Sequence, residues 1–201
     1  VSYFYANRDY SGDPKDYIGY DVGGIFTSIK TKVTNSGGQF LTVDPGDILS
    51  GPNSNKAPLP NGWDPNISIK VVSAYDSAGT SDYNAQSIIF TIRFGTSSFM
   101  FGGDAKRSNS APDGPNTYGE GYALGVYPQE LKIDIMKAHH HGDYNSYSDN
   151  YYYNTPQFLD KVLPKWCVIQ DGGNADLPHN ATLERYHSYG AKMYRNDLDG
   201  H

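Results

Sequence analysis

Ile133-Asp134-Ile135-Met136-Lys137-Ala138-His139-His140-His141-Gly142 is the stretch whose reading decides the fold. Apolar and polar residues alternate from Leu131 to Met136, the period of a half-buried strand. That strand runs directly into three histidines and a glycine. Successive strand residues point to opposite faces, so at most two of the three rings can serve one site unless the chain bends there. Gly142 makes such a bend easy. Neutral imidazole is the commonest metal-ligand side chain, so the triplet reads as a metal or substrate site. It is internal and flanked by patterned sequence, which argues against a purification tag.

Upstream, Ser87 to Phe94 and Ser97 to Phe101 are strand-like runs joined by Gly95-Thr96, the signature of a β-hairpin. The second run ends in Gly102-Gly103-Asp104, where glycines let the backbone turn sharply and expose the acid. Further back, residues 67–74 alternate as a strand, and 50–66 read as a surface loop. Phe40 to Val43 reads as a short strand before the turn at 44–47, and residues 23–35 read as a helix stopped by Gly37-Gly38. Downstream, Thr155-Pro156 starts a helix, with Thr as N-cap and Pro in the first turn, and Pro164 ends it. Trp166 to Ile169 is a strand, Asn180 to Tyr189 a helix capped by Gly190, and Ala191 to Tyr194 a last strand. Residues 105–128 read as a long polar insertion, a length at which loops are usually lids or binding loops. His179 stands just before a helix start, where backbone N–H groups attract anions. Together the pattern gives an α/β (α+β) layered domain.

The 201 residues suit one domain. The 18 tyrosines offset a modest apolar content with large rings that keep a polar tip. A net charge of −6 gives no basic footprint for nucleic acid. The single cysteine, Cys167, excludes an internal disulfide and lies in an apolar strand, as an inert core thiol does. No run approaches the roughly 18 apolar residues that span a membrane. Two short N-glycosylation patterns, at Asn66 and Asn180, point toward secretion.

As an ordered set, these segments resemble the metallo-β-lactamase superfamily. The carriers are Asn84 to Phe90, then Phe101-Gly102-Gly103-Asp104-Ala105, then Ile133 to Gly142. Ser146, Phe158-Leu159, Pro164-Lys165, Val168-Ile169, His179 and Gly190-Ala191-Lys192 continue the match. The likeness is greatest to the branch that includes the hydrolase-like domain of the DNA-uptake protein ComEC and phosphorylcholine esterase. It covers residues 67–201 well and 1–66 weakly, so residues 1–201 are expected to be part of a single domain. It implies the C-terminal half of an αββα sandwich. It also implies two divalent metal ions, most often zinc, with Asp104 and His141 as metal ligands. His140 would be the catalytic contact to substrate and His179 the substrate-binding group. The implied activity is a metal-dependent hydrolase of a phosphodiester or related ester, acting through a metal-activated water.

The family's His-x-His-x-Asp-His motif, which supplies most of the metal ligands, has no counterpart here. The expectation is therefore that an N-terminal half lies outside this chain and is its partner. Half a sandwich leaves one sheet face apolar and uncovered, a patch that monomers rarely tolerate. Asp143 stands where the family prefers Ser, and an added carboxylate there is expected to disfavour anionic substrates. Two other readings follow the same residues. One is a non-catalytic binding or structural module, because fold does not fix function. The other is a ComEC-like nuclease, which the acidic composition disfavours. A small-molecule ester suits the composition better.

Overall fold

In the computed structural model, the described residues are 3–6, 22–51, 53–55, 64–74, 84–108, 118–146, 151–171, 176–196 and 198. The elements in chain order are β1 (Tyr3–Ala6), α1 (Val22–Asn35), β2 (Gln39–Thr42), β3 (Ile48–Ser50), β4 (Ser68–Ser73), β5 (Ile89–Phe94) and β6 (Ser97–Phe101). They continue with β7 (Arg107–Ser108), α2 (Gly119–Val126), β8 (Ile135–Lys137), β9 (Asn145–Ser146) and β10 (Tyr151–Tyr152). The chain closes with α3 (Pro156–Val162), β11 (Trp166–Ile169), α4 (Asn180–Ser188) and β12 (Lys192–Arg195). The fold is mixed α and β. A seven-stranded sheet has the order β12-β11-β8-β6-β5-β4-β3. β6, β8, β11 and β12 run parallel, and β3 to β6 are antiparallel neighbours. No helix of the described residues is long and apolar enough to cross a membrane.

One face of the sheet carries the core. Met100, Met136, Cys167 and Ile169 point into it and meet Ala123 of α2, Phe158, Leu159 and Val162 of α3 and Tyr186 of α4. Cys167 is fully buried, and desolvation pushes its thiol up to about 12, so the expected inert thiol is what stands there. The alternation that buries these residues turns Phe99, Phe101, Ile135, Lys137, Trp166, Val168 and Tyr194 to the opposite face. That face is aromatic and open. Phe101, Val168 and Tyr194 are 40%, 41% and 51% exposed, Phe90 stacks on Phe101 and Trp166 stacks on Tyr194.

Two expectations need correcting. Within the expected long polar insertion at 105–128, residues 119–126 form a helix, α2, which packs Ala123 into the core. Its Gly119-Glu120-Gly121 start lacks the 3.6-residue apolar period and the cap that mark a helix in sequence. Leu131 to Met136 is not one strand either. β8 covers only Ile135–Lys137, because Asp134 breaks the ladder by turning its carboxylate back into the structure. Asn174 and Asp199-Gly200, part of the expected closing segment, lie outside the described residues.

Asp134 ties three strand starts together. Oδ2 accepts from Ser98 N at 2.9 Å and Ser98 Oγ at 2.7 Å, and Oδ1 accepts from Lys165 Nζ at 2.7 Å. Lys165 and Ser98 hold its carboxyl below the usual carboxylate range. A carboxylate whose folded pKa is depressed stabilises above its unfolded pKa and loses that contribution as pH falls through the folded value. Asp134→Ala is therefore expected to cost about 1–3 kcal/mol at pH 7. The deficit should narrow as the pH drops below about 4, which urea denaturation across pH 2.5–7 will read.

Candidate active site at the carboxyl ends of the parallel strands

The carboxyl ends of parallel strands are where open α/β sheets hold ligands. Here β6 delivers Asp104, β8 delivers the histidine triplet, and β11 delivers the Gln170 carbonyl. Hydrogen bonds stitch these ends together. His140 N donates to Gly103 O at 3.1 Å, and Lys137 Nζ donates to the same carbonyl at 3.3 Å. Burial lowers the Lys137 pKa, and nearby Asp104 opposes that shift.

The triplet leaves the strand as a tight turn with an unusual backbone. His140 (φ 47°), His141 (φ 58°) and Gly142 (φ 84°) are consecutive left-handed residues. For L-residues other than Gly and Asn that region costs about 1–2 kcal/mol each, a strain met mainly at functional sites. The turn sends His139 inward and His140 and His141 outward, which resolves how two neighbouring rings reach one side. At Gly142 no side chain is possible, since a Cβ would lie 2.6 Å from Pro178 Cβ.

His141 and Asp104 meet, with Nε2 and Oδ1 3.7 Å apart and both side chains partly exposed. The Nδ1–H of His141 donates to Gln170 O at 2.5 Å, which orients the ring and turns Nε2 toward Asp104. His140 and His179 form a second pair around Asp143. His140 Nδ1 lies 3.0 Å from Oδ2, and His179 Nδ1 lies 3.3 Å from Oδ1. The Tyr153 ring stacks behind His140 at 4.3 Å between centroids. His179 occupies the N-cap of α4, and its N–H donates to Gly142 O at 3.2 Å. So Asp104 and His141 form one pair, His140 and His179 another, and the neighbouring rings of His140 and His141 join the two. Among the described residues, no group of three His, Cys, Asp or Glu side chains is gathered as a metal-binding set.

Asp143 is tied into the site from several sides. Its carboxylate is nearly buried, faces two imidazoles and accepts from Tyr144 N at 2.6 Å. It holds the two rings in place. Ser146 lies in β9, and its side chain is outside the described set.

Sequence reading missed the support beneath the turn. His139 is fully buried, and its Nδ1–H donates to Glu120 Oε1 at 2.7 Å. The same buried carboxylate accepts from Asn154 N, Thr155 N and Thr155 Oγ1 at 2.7–3.0 Å. Gly102 makes room for this ring, since a Cβ there would sit 2.2 Å from His139 Nε2. Glu120 lies in the segment whose composition predicts a long polar insertion, so no sequence signal marks it. Thr155 was visible only as a helix cap, a role it also fills by accepting from Phe158 N at 3.4 Å.

Glu120→Gln halves the acceptor capacity facing four donors. It is expected to lower stability by about 2–5 kcal/mol, read by chemical denaturation, because buried donors lose partners. Unchanged stability would show that the carboxylate does not organise the turn. Compared with known proteins, the chain matches no family model and no curated protein.

Proposed function

We propose that this chain contributes to a metal-dependent hydrolase of a phosphodiester or related small-molecule ester, on a metallo-β-lactamase-like αββα sandwich. The observation that carries this reading is the approach of Asp104 Oδ1 and His141 Nε2 to 3.7 Å at the rim of the parallel strands. An imidazole nitrogen and a carboxylate oxygen held at that separation can both bind one cation. Donors each about 2.0–2.2 Å from one zinc ion lie within about 4.4 Å of each other, so the pair fits. The hydrogen bond from His141 Nδ1 to a carbonyl is the outer-shell partner that metal-bound histidines characteristically have.

In this reading Asp104 and His141 hold metal, and the remaining ligands come from a segment beyond the described residues. The open aromatic face would receive the second sheet of the sandwich. Metal bound there would supply Lewis acidity and an activated water. The chain's own residues do the rest. His140, with Nδ1 held by Asp143 and its ring held flat by Tyr153, presents Nε2 for proton transfer to the leaving oxygen. His179, steadied by the same carboxylate, presents its Nε2 to an anionic oxygen beside the first turn of α4.

Elemental analysis of the full-length protein is expected to find about two divalent ions per chain, with hydrolysis of a chromogenic phosphodiester. Asp104→Asn and His141→Gln should lose metal and activity together. His140→Gln should keep the metal and lower kcat about 10²- to 10⁴-fold. A metal-free protein with these residues intact, or full hydrolysis by the Asp104→Asn/His141→Gln double variant, would rule the proposal out.

A further inference from the structure

We infer that Asn154 is the positioning residue that holds His140 and His141 in their left-handed turn, an inference that rests on the metal-site reading above. Asn154 is fully buried and touches neither Asp104 nor the exposed atoms of His140 and His141. Its side chain instead grips the backbone on both sides of the turn. Oδ1 accepts from His139 N at 2.9 Å, and Nδ2 donates to His139 O at 3.0 Å and to Asp143 O at 2.9 Å. The remaining lone pair of Oδ1 accepts from Tyr186 Oη at 2.7 Å.

That set exhausts a carboxamide: two acceptor sites and two donors, all used. A carboxylate would present no donor to the two carbonyls, and a hydroxyl is too short to span residues 139 and 143. Asn154 is itself fixed from two further sides. Its N–H donates to Glu120 Oε1 at 2.7 Å, and its carbonyl accepts from Arg185 Nη1 at 2.5 Å. Its own φ of 50° is a conformation that asparagine tolerates better than other side chains do. The clasp therefore joins α2, α4 and the start of α3 to the two ends of the turn. The strained backbone between those ends has its conformation imposed from outside, and the His141 ring is aimed at Asp104 as a result.

The test compares Asn154→Ala and Asn154→Asp with Val162→Ala, a core deletion chosen to match the loss of thermal stability without touching the turn. Zinc affinity is measured by competition with a chromophoric chelator. Side-chain ¹⁵N spectra report which ring nitrogen of His140 and His141 carries the proton. The Asn154 variants are expected to bind zinc about 10- to 100-fold more weakly than wild type, the usual effect of losing outer-shell support. Their His140 and His141 rings should leave the Nδ1–H form imposed by Asp143 and Gln170 O. Val162→Ala should show neither change. If wild type binds no zinc, the metal reading fails, and the ring tautomers alone decide whether Asn154 positions the turn. Asn154 variants that match Val162→Ala in both zinc affinity and ring spectra overturn the inference.

Discussion

The organisation of this molecule depends on one buried carboxylate. Glu120 has no solvent contact, and burying an ion is tolerable only when its lone pairs are matched by donors. Its four donors come from His139 and the adjacent Asn154 and Thr155, so two further stretches of chain must converge on α2 to satisfy it. The convergence fixes the base of the histidine turn and the entry of α3 at once. If the carboxylate were missing, the buried donors beneath the left-handed residues would lose their acceptor.

From that base the site is assembled by neighbours whose own demands are modest. Gly103 O draws in His140 N and Lys137 Nζ, Gln170 O draws in His141, and Asp143 takes the two remaining rings. Together these bonds leave few alternative orientations for the imidazoles, which is what preorganised polar sites need. The opposite face of the sheet is quite different, with stacked aromatic pairs partly exposed to solvent.

Much of the frame was legible in the sequence because its signals are local. The hairpin at Gly95-Thr96, the Thr155-Pro156 helix start, α4 with Gly190 behind it, and the parallel strand at Trp166 all sit where pattern and turn chemistry place them. Asp104 and the histidines were legible as polar groups stranded at strand ends. What was illegible is long-range. Glu120 lies in a glycine-rich helix without amphipathic periodicity, and its partners lie 19 to 35 residues away. Asp134 sits at a position that alternation assigns to a strand, yet its side chain takes the place of a ladder bond. The imidazole partners of Asp143 were not legible, because they are brought to it only by the turn and by the cap of α4.

The contact between Gly102 and the His139 ring reaches beyond this one chain. The space between the ends of β6 and β8 admits a single side chain, and here the imidazole has taken all of it. Positions 102 and 139 are thus one coupled choice. Any sequence that builds the same junction with a side chain at the first position must shrink the second, so the two should covary across evolutionary time even though 36 residues of chain separate them.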